Sequence, residues 1–299
     1  MTNKETFQKL VAEGIRSRYG DHPTKKVMQR YLWEMKHIID AGFVDYYLMA
    51  FWAFRHHMQS PEIGLWARGA VSSSIVCYAL RLTEIDPLRY GLHSVRFVNE
   101  KPPTFQFDIE CSRFYEFKKE IDEFWEAYTT SIDVTSIKAD LFLNLVPMNY
   151  LSRKRERVVP EDLDDEIACY ALRFPATMPL FVIYTHRKNG AKWSPTGIAS
   201  LDEILSPTYG LLVYQEQMLD ILQKIFHVRA IEANHIRIAI QREDEEQVKA
   251  YEEVLSTIRK ALTVEEEVKG WKVLTSNPQA FLKAHAVSRV VATYQYEMY

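Results

Sequence analysis

Apolar residues recur at helical spacing along most of this chain, and that pattern constrains the fold more than any other feature. The segments with a helical period are residues 27–40, 46–58, 72–82, 112–128, 161–172, 214–226, 231–240, 243–262 and 284–298. Only residues 94–99, 104–110 and 180–185 have the character of strands. The pattern predicts an α+β protein that is mainly helical and has a small sheet.

Composition places the chain among ordinary globular proteins. Of its 299 residues, 47% are hydrophobic and 26% are charged. No apolar run approaches the ~18 residues of a membrane span, and the first residues lack the apolar core of a signal peptide. Cys77, Cys111 and Cys169 are isolated from one another, which predicts free thiols in a reducing compartment. We therefore expect a cytoplasmic protein without a membrane partner.

Charge limits how this chain can hold a nucleic acid. The net charge is −3, whereas domains that bind phosphate backbones usually carry a net positive charge. Any such surface must be local, and residues 153–157 and 186–192 are the two basic runs. Short basic runs are more often solvated faces than binding sites. Glycine, which phosphate-binding loops favour, occurs only ten times.

Four ordered segments carry the most specific motifs. They read Ala-Gly-Phe-Val-Asp-Tyr-Tyr-Leu at 41–48, Thr-Glu-Ile-Asp-Pro-Leu-Arg-Tyr-Gly-Leu at 83–92, Pro-Thr-Tyr-Gly-Leu-Leu-Val-Tyr-Gln-Glu-Gln at 207–217, and Phe-Leu-Lys-Ala-His at 281–285. Together they resemble the bacterial C-family replicative DNA polymerases, the DNA polymerase III alpha subunits. The resemblance rests on the order of the segments, because any one of them alone is weak.

This resemblance implies an architecture. It implies a small mixed sheet of the polymerase-beta-like nucleotidyltransferase palm type, followed by a helical fingers region. We expect a palm-like region at 1–130, a joint at 131–157 in place of the family's thumb and second palm segment, and a fingers-like region at 158–299. The strand at 104–110 should be covered by the helices at 46–58 and 72–82.

The resemblance also implies a metal site on that strand. In the family, carboxylates that alternate along a palm strand hold two metal ions for nucleotidyl transfer. The matching positions here are Gln106, Asp108 and Glu110. Asp108 and Glu110 are thus the predicted catalytic residues and ligands of Mg²⁺ or Mn²⁺, with Asp140 or Asp133 as the third carboxylate. Gln106 brings no charge to this site, and a strand with solvated polar residues is the alternative interpretation.

Six nucleotide-binding residues are implied in the same way, and they are Arg68, Gly69, Ser74, Arg237, Lys283 and His285. The first three belong to the loop that holds the triphosphate in the family, and the others belong to the fingers. That loop has lost two glycines and a serine, and Trp66 and Ala70 stand in it. Glu243 and Asp244 stand where the family has lysines, so a triphosphate would meet repulsion. His285 is equally consistent with a purely structural role.

Three functions remain open from the sequence. The favoured one is a catalytically impaired module that binds DNA or a replication protein and needs no cofactor. The second is an active minimal DNA-directed DNA polymerase that uses two metal ions. The third is a descendant that reuses the scaffold for unrelated chemistry. The well-matched stretches carry packing residues and turns, which a scaffold retains whatever its chemistry, so we predict that the protein alone does not extend a primer. The oligomeric state is left open.

Overall fold

The computed structural model describes residues 2–54, 65–110, 114–131, 143–148, 160–244, 246, 249, 251 and 263–297. The chain divides into two compact units. The first unit comprises Met1–Arg155 together with Val287–Tyr299, and the second comprises Glu156–Ala286. The functional regions expected at 1–130, 131–157 and 158–299 stay a prediction, and most of the expected joint lies outside the described residues.

The helices of the first unit are α1 (Asn3–Tyr19), α2 (Lys25–Asp40), α3 (Val44–Phe54), α4 (Ile75–Ala79) and α5 (Phe114–Ser131). The helical period predicts all of them except α1. A capping box marks the start of α1, since the Thr2 hydroxyl accepts from the Glu5 N–H and the Glu5 carboxylate accepts from the Thr2 N–H. Gly42 follows the end of α2 at φ +72°, a conformation that glycine adopts without strain.

A small mixed sheet lies in the first unit. Its described strands are β1 (Leu65–Ala67), β2 (Phe105–Glu110) and β3 (Leu143–Met148), in that order across the sheet. β1 pairs antiparallel with β2, whereas β3 pairs parallel with it. In this register Trp66 lies opposite Asp108. The strand predicted at 104–110 is confirmed, as is the α+β class.

One face of β2 forms the core of the first unit. Phe105, Phe107 and Ile109 are fully buried. The Tyr47 ring of α3 lies 5.3 Å from the Phe105 ring, and the Phe54 ring lies 4.1 Å from the Phe107 ring. The helix predicted at 46–58 therefore does cover the strand. Because side chains alternate along a strand, Gln106 and Asp108 lie on the opposite face of β2.

Helix α4 is shorter than the helix predicted at 72–82. A 3-10 turn at Gly69–Ser73 precedes it, and the Ser74 hydroxyl accepts from the Cys77 N–H to cap it. It packs against α1 and α2. The contact with α1 is close, because a Cβ atom at Gly14 would lie only 2.2 Å from the Ala79 carbonyl oxygen.

The second unit is helical. Its helices are α6 (Leu163–Ala171), α7 (Met178–Lys188), α8 (Ala199–Leu205), α9 (Gln215–Lys224), α10 (Ala230–Arg242) and α11 (Val264–Leu274), and α12 (Lys283–Glu297) begins in this unit and ends in the first. The predicted helices at 161–172, 214–226, 231–240 and 284–298 are confirmed. Helices α8 and α11 were not predicted. Helix α10 ends at Arg242, and the next residue, Glu243, has φ +55°. Most of the helix predicted at 243–262 lies outside the described residues.

Two of the three predicted strands are wrong. Residues 94–99 contain a 3-10 turn at Ser94–Arg96. The N–H groups of Phe97 and Val98 both donate to the Ser94 carbonyl within this turn, so they are not paired with another strand. Residues 180–185 lie inside helix α7, although they are rich in β-branched and aromatic side chains. Pro179 in the first turn of α7 fits a helix start, and only Tyr184 of this run is buried. Among the described residues, no helix has the length and apolar character needed to cross a membrane.

Candidate functional site

The predicted catalytic residue Asp108 is buried and paired with two arginines. Only 2% of its surface is exposed. Arg68 Nη1 donates to Oδ1 at 2.9 Å, and Arg289 Nη1 donates to Oδ2 at 2.9 Å. Each carboxylate oxygen thus already accepts a charge-assisted hydrogen bond. The arrangement is an ion triad of one carboxylate between two guanidinium groups.

The backbone positions both arginines of this triad. Arg68 directly follows β1, and its N–H donates to the Gln106 carbonyl at 2.8 Å, which continues the pairing with β2. Arg289 lies on the part of α12 that belongs to the first unit. The neighbouring Ser288 hydroxyl is hydrogen-bonded with the Ser72 hydroxyl at 2.9 Å, so this turn of α12 is held at two consecutive residues.

This geometry does not suit a pair of divalent cations. A cation beside Asp108 would face two positive guanidinium groups within the same few ångströms. Gln106, its neighbour on that face, carries no charge. The backbone of Glu110 pairs with Met148, but its side chain lies outside the description, as do Asp133 and Asp140. The metal-ligand role of Asp108 and Glu110 stays a prediction that the arrangement around Asp108 does not support.

At the predicted phosphate loop, an internal carboxylate bonds the N–H groups that begin α4. Glu34 is fully buried and accepts from the Ile75 N–H at 3.1 Å and the Val76 N–H at 3.2 Å. It also accepts from the Ser74 hydroxyl and from Arg30 Nε, both at 2.6 Å. Ser74, a predicted nucleotide-binding residue, is thereby buried in the protein's own hydrogen-bond network.

The rest of this loop is also shaped by internal contacts. Gly69 is buried and has φ +67°. Trp66, the cross-strand partner of Asp108, stands on the same side of the sheet as the triad. Arg68 is 32% exposed at its side chain, and its ion pair is with Asp108. The structure thus brings Arg68 to Asp108, a pairing that the sequence did not predict.

In the second unit, the predicted fingers arginine is buried among amides. Arg237 is 3% exposed and donates to the side-chain oxygens of Asn234, Gln215 and Gln241 at 3.1, 3.4 and 2.6 Å. Gln215 belongs to the well-matched motif at 207–217. These contacts tie α9 to α10 and give Arg237 a packing role within the described residues.

Lys283 and His285 stand at the beginning of α12. The buried carboxylate of Glu216 accepts from the N–H groups of Lys283 and Ala284 at 2.8 and 3.1 Å. Lys283 Nζ lies 5.5 Å from the centre of the Tyr214 ring. His285 lies in an aromatic cluster, with its ring 5.7 Å from that of Phe281. Their predicted role toward a nucleotide stays untested.

The motif at 207–217 is held together by hydrogen bonds among its own residues. The Gln217 side-chain oxygen accepts from the N–H groups of Val213 and Tyr214 at 2.8 and 2.9 Å. Its amide nitrogen donates to the Thr208 hydroxyl at 2.7 Å. Tyr209, in the turn, has φ +52°. These bonds hold the turn that leads into α9, which explains the motif without a ligand.

The motif at 83–92 is likewise held by hydrogen bonds within the protein. Thr83 is buried, and its hydroxyl accepts from the Ile85 N–H at 3.2 Å. Asp86 accepts from the Tyr19 hydroxyl at 2.8 Å and from the Leu88 N–H at 2.9 Å. Most of these bonds close a local turn, and one reaches helix α1. The motif that most specifically marks the resemblance is therefore a structural one.

Two of the cations in the basic run at 186–192 make contacts inside the protein. Lys188 pairs with Asp165, and Arg187 donates to the Tyr209 carbonyl at 2.7 Å. Burial lowers the pKa of Lys188, but the bond and the charge of Asp165 outweigh it, so that the pKa of Lys188 is raised. Lys192 is exposed. The other basic run, at 153–157, lies outside the described residues.

Asp165 is the centre of a small buried network between α6 and α7. Burial raises the pKa of this carboxyl, but bonds from Lys188, the Glu161 N–H and the Tyr184 hydroxyl outweigh it and lower the pKa of Asp165. Burial raises the pKa of the nearby Cys169 thiol to about 12. Cys77 and Cys169 are buried free thiols as predicted, whereas Cys111 lies outside the described residues.

Comparison with protein families agrees with these motifs. Residues 5–139 match the model of the bacterial DNA polymerase III alpha NTPase domain. Residues 151–261 match the model of the bacterial DNA polymerase III alpha subunit finger domain. The two matches follow one another in the chain and together cover 246 of its 299 residues. This chain belongs to the bacterial DNA polymerase III alpha family.

Individual relatives of this family are similar over a short segment. An error-prone DNA polymerase of Anaeromyxobacter sp. (strain K) is 35% identical over 110 residues, which is 36% of this chain and 10% of that protein. A DNA polymerase III subunit alpha of Borreliella burgdorferi is 40% identical over 108 residues, which is 36% of this chain and 9% of that protein. The matched segment thus spans about a tenth of the length of each of these two relatives.

Arg289 and Glu34 are the two residues around the predicted site that the sequence did not indicate. Glu34 sits in a helix with an ordinary amphipathic pattern, and no local signal shows that its carboxylate is buried. Arg289 follows the motif at 281–285, but it lies 181 positions away from Asp108. The pairing of Arg289 with Asp108 on the predicted metal-site strand is therefore visible only in three dimensions.

Proposed function

We propose that this protein is a catalytically impaired member of the DNA polymerase III alpha family that serves as a binding module of replication or repair. The observation that carries the proposal is the ion triad, in which Arg68 and Arg289 bond the two oxygens of Asp108. In a nucleotidyltransferase palm, the carboxylate at this position has to be open to a metal ion. We assign the small mixed sheet to that palm type, with its metal site replaced by arginines.

Two further features support the loss of catalysis. Glu34 supplies a negative charge at the start of α4, where a triphosphate would otherwise accept bonds from the same N–H groups. Arg237 is buried among three amide side chains. Metal binding, the phosphate loop and the fingers are separate contributions to stabilisation of the transition state. The loss of one strong electrostatic contact alone typically lowers the rate ~100- to 1000-fold.

The charges favour a protein partner over DNA. The chain carries a net charge of −3, and Arg187 and Lys188 of one basic run make internal contacts. A phosphate backbone requires exposed cations. A replication protein in the cytoplasm is therefore the first candidate partner. DNA is the second candidate, because the family to which this chain belongs acts on DNA.

Primer extension tests the proposal. Purified protein is incubated with a primed template, all four deoxynucleotides and Mg²⁺ or Mn²⁺, beside the Asp108→Ala variant. We expect no extension by either protein, and Gln106→Asp should not restore it. Extension by the natural protein that disappears in Asp108→Ala would establish the active minimal polymerase instead. Salt-sensitive binding of the same primed template without extension would favour DNA as the partner.

A further inference from the structure

Four aromatic rings of the second unit lie against one another at its surface. They come from the end of α6, the turn that follows it and the start of α12, and they are Tyr170, Phe174, Phe281 and His285. The Phe174 and Phe281 rings are stacked with their centres 4.4 Å apart. The Tyr170 ring lies 5.5 Å from that of Phe174, and the His285 ring lies 5.7 Å from that of Phe281. We call these four residues the aromatic cluster.

The exposure of the aromatic cluster sets it apart from the rings that form the core of the first unit. Phe54 and Phe107 have their rings 4.1 Å apart and are completely buried. Each of the four residues of the aromatic cluster is half-exposed instead. Apolar ring surface that remains in water costs free energy that burial would recover. Exposed rings that lie together and are rimmed by polar residues are therefore typical of a binding surface.

The backbone that carries the two stacked rings is fixed by hydrogen bonds. The Phe174 carbonyl accepts from the N–H groups of Thr177 and Met178 at 3.0 and 2.8 Å. The Phe281 N–H donates to the Val213 carbonyl at 2.8 Å. Rings on a fixed backbone lose little conformational freedom when a ligand packs on them, which favours binding.

A cation lies beside the aromatic cluster. Arg173 is exposed, and its Cζ atom lies 5.7 Å from the centre of the Tyr170 ring. Of the carboxylates near the cluster, Glu216 is buried and accepts from the N–H groups that begin α12. Glu166 is half-exposed one turn before Tyr170 on α6, whereas Arg173 follows the end of that helix. An anionic group would therefore bind on the Arg173 side of the cluster.

Aromatic rings beside a guanidinium group match the chemistry of a single-stranded nucleic acid. Its unpaired bases stack on aromatic side chains, and its phosphates bind cations. A duplex hides the faces of its bases and offers mainly phosphates, which a chain with a net charge of −3 binds poorly. Stacking does not depend on net charge, so the charge that disfavours a duplex does not disfavour a single strand. Because the chain belongs to a family of DNA polymerases, we take the strand to be DNA.

We propose that the aromatic cluster is a stacking site for unpaired bases of single-stranded DNA, with Arg173 bonding a phosphate beside them. This inference rests on the proposed function, and it takes the second candidate partner, DNA, in the form that the charge of the chain allows. It requires no part of the ion triad, so binding of the single strand and loss of catalysis are tested separately.

Three oligonucleotides test whether the bases contribute the affinity. The first is a labelled single-stranded DNA of about 12 nucleotides. The second has the same length and the same phosphates but abasic sites in place of the bases, and the third is the first strand in a duplex. Each is titrated with the full chain by fluorescence anisotropy. We expect saturable binding of the single strand, and at least about tenfold weaker binding of the other two, because one stacked base changes affinity roughly 5- to 150-fold.

Variants of Phe174 locate the binding. Phe174→Leu keeps an apolar side chain but removes the ring, and it should weaken binding of the single strand about tenfold. Phe174→Tyr restores an aromatic ring and should retain most of the affinity. Tyr115→Leu is the control, because it removes an 83% exposed ring from α5 in the first unit, and it should leave the affinity unchanged. Arg173→Gln should weaken binding and reduce its dependence on salt. Circular dichroism checks that the variants are folded.

Several results would overturn this stacking site. Equal affinities for the normal and the abasic strand would assign the binding to phosphates, and this comparison needs only the natural protein. Equal effects of Phe174→Leu and Phe174→Tyr would show that the ring does not bind a base. Absence of binding by all three oligonucleotides would leave a protein as the partner. None of these outcomes changes the primer-extension result, and primer extension by the natural protein would contradict the impaired module whatever the single strand does.

Discussion

Asp108 and Arg289 lie 181 positions apart in the chain and form an ion pair in which Nη1 and Oδ2 are 2.9 Å apart. The pair joins the central strand β2 to the last helix within the first unit. With Arg68 on the other oxygen, both oxygens of the carboxylate that was predicted to bind metal are bonded by arginines. The proposed loss of catalysis rests on that relationship.

The first prediction is that removal of Asp108 destabilises the protein. Asp108→Ala leaves the Arg68 and Arg289 guanidinium groups facing one another without the carboxylate between them, and breaking a buried ion pair in this way costs about 3 kcal/mol. Urea unfolding measures the change. The control is Asp122→Ala, which breaks an exposed pair with Lys118 and should change stability by less than about 0.5 kcal/mol. Equal effects of the two substitutions would show that the triad contributes nothing.

The second prediction concerns Glu34. Glu34→Gln keeps the size of the side chain but removes the charge that Arg30, the Ser74 hydroxyl and the first N–H groups of α4 share. Because the charge on Arg30 is then left in a largely buried site, we expect a loss of about 3 kcal/mol in urea unfolding. Glu13→Gln, on an exposed face of α1, is the matched control and should have little effect. A neutral Glu34→Gln would refute the role of this carboxylate.

The third prediction concerns the contact between α1 and α4. Alanine favours a helix over glycine by about 1 kcal/mol, so Gly14→Ala would stabilise a free helix. Here the new Cβ would meet the Ala79 carbonyl oxygen at 2.2 Å, so we expect net destabilisation of at least about 1 kcal/mol. Thermal unfolding beside Glu13→Ala, an exposed neighbour, separates the packing effect from helix propensity. A rise in stability in Gly14→Ala would contradict the close approach.

The fourth prediction is a pH dependence from Asp165. Its pKa is lowered in the folded protein, so the stability that it contributes is fully present above its unfolded pKa of about 3.9 and is lost as the pH falls through the folded pKa. Asp165→Asn should therefore lower stability at pH 7 and flatten its decline below about pH 4. Urea unfolding between pH 3 and pH 7 measures both effects. Parallel declines in the two proteins would contradict the assignment.

Local sequence patterns predicted much of the fold. The alternation at 104–110 identified β2, and the helical period located α2, α3, α9 and α10. Each of these elements buries one face, so its apolar residues recur at a regular spacing in the sequence. Helix α7 was predicted as a strand, because its inward contacts depend on Asp165 and Tyr209 rather than on its own apolar residues. Tertiary contacts overrode propensity there.

The candidate site was predictable only in part. The motif placed Asp108 on strand β2, on the face opposite Phe105 and Phe107. Nothing local identified Arg68 and Arg289 as its partners. Likewise, Glu34 became the partner of α4 only through the packing of α2 against it. Ion pairs between distant segments depend on the fold as a whole, so they leave no periodic signal in the sequence.

A metal titration shows whether Asp108 binds a divalent cation. Isothermal calorimetry with Mn²⁺ and with Mg²⁺ is carried out on the natural protein, on Asp108→Ala and on the conservative Asp108→Asn. We predict that the natural protein shows no saturable binding that depends on Asp108, because two guanidinium groups hold that carboxylate. Saturable binding by the natural protein that disappears in both variants, with their folding verified by circular dichroism, would contradict it and return Asp108 to the role of a metal ligand.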